Sequence, residues 1–340
     1  MRVGLALPQY DFSVPGEHPL RWETVAAVAR QAEALGFASL WLSDHLFLDM
    51  GRYGAAPGVA GAFAPLPALG ALARQTAAAR LGVLVLNAPL RPPSVLAKAL
   101  ATLDVLAGGR LVVGMGAGWY EPEFAAAGVP FQQPGTRLDQ LAEAIAVLRG
   151  MFGGGPFSYS GRHWTVEDAR CLPVPVQQPG PPIWMGGRGD RLIRLAARHA
   201  DGWNTAWTWT PQAYRDRVDV LRAACEQAGR DPAKVTLSLG LYALVGEDEA
   251  DVERRFERLR AVSQPGVLDR MTLDDWRVGR LVGTVEQVRE QLGVWEELGV
   301  DELIVGAGAI PFALASPDDV EMIAATCSLG APCPASDPSN

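Results

Sequence analysis

Short apolar runs alternate along this chain with longer segments whose apolar residues recur at i, i+3, i+4 and i+7. Eight runs read as strands: "VGLALP" from Val3, "ASLWLS" from Ala38, "LGVLVLN" from Leu81, "LVVGMG" from Leu111, "PIWMGG" from Pro182, "DGWNT" from Asp201, "VTLSLGLYA" from Val235 and "DELIVG" from Asp301. Between them, segments such as Thr24–Leu35, "PSVLAKALATLDVLAGG", "RLDQLAEAIAVLRGMF", "DRLIRLAARHA" and "VEQVREQLGVWEELG" carry the helical period. Gly36, Gly108 and Gly299 close three helical segments, where a left-handed residue would stop the helix. This alternation of strand and helix signals predicts successive βα units and a parallel sheet. Eight units in about 320 residues favour an α/β fold of the (β/α)8 TIM-barrel type over an open doubly wound sheet.

Two stretches break the repeat. The first, Phe152 to Pro182, is rich in Gly, Pro and aromatics and predicts a hairpin or lid inserted before strand five. The second, Ala261 to Leu281, predicts a short helix over the barrel mouth. No linker divides the chain, so a single domain is expected over 1–328, followed by a small, polar, Pro-rich tail over 329–340 that reads as disordered.

Composition narrows the chemistry. A net charge of -8 provides no basic field, which disfavours nucleic-acid and anionic-membrane partners and favours a small-molecule substrate. The start "MRVGLALPQYDF" lacks a basic n-region followed by a long apolar stretch, and no run reaches the ~20 residues of a membrane span, so a cytoplasmic location is expected. The four cysteines show no CxxC spacing, and the four histidines form no HxH or HExxH pair, so no metal site is expected.

In a (β/α)8 barrel the active site is built on the loops after the strands, so polar residues at strand ends are the candidates. Asp44 and His45 close the second run, Asn87 the third, "GMGAGWYEPEF" the fourth, "GGRGDR" from Gly186 the fifth and Asn204 the sixth. The glycine-rich turn before "LIRLAARH" leaves amides of a first helical turn free for an anion, with Arg188 and Arg191 near it. "GMGAGW" is not GxGxxG, which excludes a Rossmann site. Trp119, Trp203, Trp207 and Trp209 are expected at the mouth with Phe12 and Tyr120, and such aromatics suit an apolar or planar substrate.

The blocks "AEALGFASLWLSDHL", "ARLGVLVLNAPLRPPSVLAKALATLDVLAGGRLVVGMGAGWYEPEF" and "PPIWMGGRGDRLIRLAARHADGWNT" together resemble the luciferase-like oxidoreductase superfamily, the bacterial-luciferase-type flavin and deazaflavin barrels. Ser-Asp-His at the end of strand two is similar to the branch that uses the deazaflavin coenzyme F420. The resemblance implies ring contact and proton supply by Asp44 and His45, and a non-prolyl cis peptide at Leu84–Val85 behind the ring. It also implies Asn87 at the ring or ribityl chain, Gly116 and Gly118 lining the cofactor, and the turn from Gly186 through Gly187, Arg188 and Gly189 holding its phosphate. The F420 sugar-phosphate dehydrogenases carry a catalytic Glu where this chain has Trp119, with Glu121 as the nearby acid.

The function expected is hydride transfer between F420 and a small organic substrate, with His45 exchanging the proton. An FMN-dependent monooxygenase fed by a separate reductase, and a non-catalytic flavin-binding barrel, are the alternatives. A homodimer is compatible with the sequence.

Overall fold

The computed structural model describes residues 1–330. Strands β1 (Arg2–Ala6), β2 (Ser39–Leu42), β3 (Arg80–Val83), β4 (Leu111–Gly116), β5 (Ile183–Gly186), β6 (Gly202–Trp207), β7 (Thr236–Gly246) and β8 (Glu302–Gly306) pair in parallel around a ring. β1 pairs with both β8 and β2, and β4 with β5, so the sheet closes. This is the (β/α)8 barrel that the alternating pattern predicts.

Helices α1 (Trp22–Ala34), α2 (Pro65–Ala73) and α3 (Pro93–Leu106) join the first four strands. α4 (Glu121–Ala126) and α5 (Pro134–Phe152) follow β4, α6 (Asp190–His199) follows β5, and α7 (Pro211–Gln227) follows β6. α8 (Glu249–Val262), α9 (Leu273–Arg277) and α10 (Val285–Glu297) lie between β7 and β8, and α11 (Pro317–Thr326) comes last. Side-chain oxygens of Thr210, Asp248, Thr284 and Ser316 accept first-turn amides of α7, α8, α10 and α11, which explains why these helices start where they do. Gly36, Gly108 and Gly299 all take positive φ just past a helix, as their positions predict.

Trp41 and Trp184 stack inside the barrel with centroids 5.1 Å apart. They fit because Gly82 and Gly202 face them: a Cβ on Gly82 would run into the Trp41 ring, and one on Gly202 would lie 2.6 Å from Trp184. Ala6, Val112 and Ile304 complete this inner core, while the larger apolar cluster lies between strands and helices.

The inserted segment does form a hairpin, Phe157–Ser160 against Thr165–Ala169. It is not a lid. Its tip amides at Arg162, His163 and Trp164 donate to the Glu143 carboxylate on α5. The chain then returns beside α3, where Gln177 donates to Asp104 and to Leu111 O at the start of β4. A helix-to-strand connection ends at the barrel floor, opposite the mouth, so this insertion decorates the outer wall.

The 261–281 stretch does hold a short helix, α9, and it borders the mouth. Gly266 (φ +97) lies back to back with Gly54 (φ +93) of the loop after β2, too close for a Cβ on Gly266. The apolar runs did not disclose three short strands: Phe47–Asp49 paired with Val59–Gly61, and Leu281–Thr284 beside the end of β7. Among the described residues no helix is long and apolar enough to cross a membrane. The tail expected to be disordered lies, past Gly330, outside the described residues.

Candidate active site

The apolar strand β2 ends in a turn that is fixed before it presents any chemistry. Ser43 N–H donates to Gln9 Oε1 at 2.6 Å, Gln9 Nε2 donates to Ser43 O at 2.9 Å, and the Tyr10 and Ser43 hydroxyls share a 2.5 Å bond. Burial pushes the Tyr10 phenol far above its usual range, so it stays a neutral partner. Asp44 and His45 follow this anchored turn.

Asp44 is saturated. Its two oxygens accept a bidentate pair from Arg91, at 2.5 and 2.7 Å, and a third bond from the Asn87 amide at 2.8 Å. Such a fork-to-fork pair is geometrically specific. The expected contact partner is thus already spoken for: the carboxylate ties the end of β2 to the segment after β3. Arg91 was within reach of sequence reading, since it stands in "NAPLRPP", but nothing local shows that it folds back over β2.

His45 has a partner that residue spacing did not reveal. Its Nδ1 lies 2.9 Å from Oε2 of Glu123, a carboxylate whose side chain is 1% exposed, while Oε1 accepts the Leu46 amide at 2.5 Å. An ionised carboxylate only accepts, so Nδ1 carries the proton and Nε2 is the free atom. Nε2 has no hydrogen-bond partner among the described residues. Glu121, the acid named from the sequence, is exposed on the opposite side of the first turn of α4. Residues two apart on a helix point about 200° apart. Only one of the two acids in "EPEF" can therefore face the barrel, and burial of Phe124 turns Glu123 inward.

The Leu84–Val85 peptide is cis and non-prolyl, at the position the resemblance implies, and a second one occurs at Ala206–Trp207. Val85 projects between β4 and β5, where a Cβ on Gly116 would lie 2.5 Å, and one on Gly186 2.6 Å, from its methyl groups. These two glycines make room for the bulge; they do not face an open cofactor cleft. Gly118 (φ +70) does line the cleft, with Asp44, His45, Leu84, Val85, Asn87, Trp119 and Glu123. There the Oδ1 of Asn87 is buried without a hydrogen-bond partner among the described residues. A buried acceptor of this kind lacks a donor.

The glycine turn before α6 is only partly free. The Gly187 amide is consumed by Asn204 O at 3.0 Å, so it is not an anion donor. Arg191 is paired with Asp139 at 2.5 Å, whereas Arg188 is exposed and without an ion pair among the described residues. Asn204 itself points to Ser238 at 2.9 Å. Among the described residues nothing within 4 Å would meet a Cβ on Gly189, the residue that precedes α6.

The expected aromatic cluster divides. Trp119, 44% exposed, stands edge-on to His45 at 5.3 Å and next to Tyr120. Phe12 stacks on Tyr10 at 4.9 Å, and Trp207 packs on Tyr242 and Phe312. Trp203 and Trp209 leave the mouth: both are buried against Tyr214 of α7, in the wall between barrel and helices.

The family model described as luciferase-like monooxygenase matches residues 1–302. A phthiodiolone/phenolphthiodiolone dimycocerosates ketoreductase of Mycobacterium tuberculosis (strain ATCC 25618 / H37Rv) is 31% identical over 282 residues, which cover 78% of this chain and 72% of that protein. An F420-dependent secondary alcohol dehydrogenase, solved with an F420-acetone adduct, superposes with a TM-score of 0.75 at 20% identity, covering 96% of this chain and 97% of the other. A riboflavin lyase solved with modified FMN and riboflavin superposes with a TM-score of 0.75 at 15% identity, covering 97% and 92%.

Proposed function

This chain belongs to the luciferase-like monooxygenase family, and from that premise we propose that it is a coenzyme F420-dependent oxidoreductase acting between a ketone and the corresponding alcohol. The observation that carries this reading is His45, held through Nδ1 by the buried Glu123, with Nε2 at the barrel mouth and unpaired among the described residues. Carbonyl–alcohol exchange needs one hydride and one proton, and this arrangement is built for the proton. Both the ketoreductase and the alcohol dehydrogenase named above interconvert these groups by their names.

The residues present fit such a cofactor. Asn87 Oδ1 needs a donor of the kind that a ring N–H or ribityl hydroxyl offers. The Leu84–Val85 backbone would back the ring, Gly118 would border it, and the first amides of α6 with Arg188 would take a phosphate. When bound, a deazaflavin supplies or accepts the hydride and, with carbon at position five, activates oxygen poorly.

The remaining work falls to the chain itself. In the reducing direction, protonated His45 gives its Nε2 proton to the carbonyl oxygen and keeps the Nδ1 proton directed at Glu123. In the oxidising direction, neutral His45 takes the hydroxyl proton at Nε2. Glu123 stabilises the imidazolium and fixes its ring, Asp44 holds Arg91 and the Asn87 amide, and Trp119 and Tyr120 limit water at the imidazole.

Fluorescence titration with F420 and with FMN tests the cofactor choice directly. Tight uptake of F420, with ketone-dependent oxidation of its reduced form and no oxygen consumption, is the expected result. Preference for reduced FMN with oxygen uptake overturns it.

A further inference from the structure

One exposed guanidinium at the mouth carries no ion pair among the described residues. Arg52 lies in the helical turn Met50–Tyr53, on the loop after β2. Asp49 fixes that turn by accepting the amides of Gly51 at 2.9 Å and Gly58 at 3.1 Å, so its carboxylate is used within its own loop. The Arg52 guanidinium carbon lies 4.0 Å from the centroid of Trp119, the ring that stands 5.3 Å from His45. Among the described residues Arg52 makes neither an ion pair nor a side-chain hydrogen bond, while Arg91, another arginine of this mouth, has its charge paired by Asp44.

Stacking engages the face of a guanidinium and leaves its in-plane N–H groups free. Contact with the ring restricts the side chain, which lowers the ordering cost of a bidentate contact. Such a fork matches an oxyanion. Two of the nearby carboxylates are already engaged: Asp44 is paired with Arg91, and Glu123 with His45 and the Leu46 amide.

We infer that Arg52, on its Trp119 platform, is a specificity residue that binds a carboxylate or phosphate carried by the substrate, one small-molecule length from the carbon that reacts at His45. The inference rests on the oxidoreductase reading only in placing the reacting carbon at His45. It narrows the substrate class to oxo or hydroxy compounds that bear an oxyanion.

Levulinate and its methyl ester share one ketone and differ in charge, which makes them suitable probes. Calorimetric titration of the full chain, with and without F420, is expected to favour levulinate about tenfold, the size of one charge-assisted contact. The preference is expected to fall to about one in Arg52→Gln and to survive partly in Arg52→Lys. It should also weaken as salt rises. Equal affinity for the two probes, failure of the wild type to bind levulinate, or a preference that survives Arg52→Gln overturns the assignment. F420 uptake by fluorescence, run on the same samples, is expected to be unchanged in Arg52→Gln. Loss of uptake in the wild type sinks the deazaflavin reading separately, while the levulinate-to-ester ratio still decides the role of Arg52.

Discussion

The two ends of the barrel each bury a carboxylate, and they use it differently. At the floor, Glu302 on β8 accepts from Ser39 Oγ at 2.6 Å and Arg2 Nε at 3.0 Å, with Arg80 at 3.7 Å; Ser39 in turn receives the Trp41 indole N–H at 2.7 Å. Every member is partnered within the protein. At the mouth, Glu123 orients His45, and among the described residues neither the other nitrogen of that ring nor Asn87 Oδ1 has a hydrogen-bond partner. A closed network fixes a fold, whereas a network with unspent donors and acceptors is poised for a ligand.

This contrast can be broken by measurement. The largest effect is expected from His45→Ala, which should lower kcat by about 10²–10⁴-fold with F420 binding retained. Glu123→Gln should cost less and should shift the pH profile of kcat; if His45→Ala turns over at the wild-type rate, the mouth is not where the proton moves.

The floor should respond in stability and not in turnover. Glu302→Gln leaves Arg2 and Arg80 without their anion and is expected to cost about 3 kcal/mol, toward the low end for a broken buried pair because Arg2 is half exposed. Urea unfolding reads this as a lower midpoint at constant slope. A kcat reduced as much as in Glu123→Gln would erase the distinction between the two ends.

A pair of glycines sharpens the same comparison. Gly82→Ala pushes a methyl group into Trp41 and is expected to destabilise the protein by about 1–3 kcal/mol. Gly189→Ala, in open space at the mouth, should leave the unfolding midpoint close to that of the wild type.

The smallest effect concerns acid. The amides of Gly51, and then of Gly58, hold the Asp49 carboxyl below its usual range. A depressed carboxyl stabilises fully above its unfolded pKa of about 3.9, and that contribution is lost as pH falls through the lower folded value. Protection of the Gly51 and Gly58 amides against hydrogen exchange, taken relative to the intrinsic rate at each pH, should therefore hold at pH 5 and fall only below about pH 4. Loosening that begins near pH 6 would show that Asp49 does not hold the Arg52 turn.

Much of the candidate cleft was legible because it sits at strand ends. Asp44, His45 and Asn87 fall where the apolar runs stop, the Leu84–Val85 bulge was implied by the family resemblance alone, and the structure brings them into one cleft. The readings that failed share a cause, since each needed a direction that one-dimensional spacing does not carry. Glu121 and Glu123 stand two residues apart on one turn, and packing of Phe124 selected between them. Trp203 and Trp207 lie on one strand, yet Trp203 faces the helices. Gly187 looked like a free amide until β6 placed Asn204 O beside it.

The sequence by itself determined the order of strands and helices, the closure implied by eight units, and the end of the barrel where polar residues gather. These follow from periodicity and from Gly, Pro and capping residues, which act over a few positions. Tertiary structure alone decided the pairings His45–Glu123, Asp44–Arg91 and Arg52–Trp119, separated by 78, 47 and 67 residues in the chain. Contacts at that range depend on how strands twist and which way each side chain leaves its backbone, and both are settled only when the barrel closes.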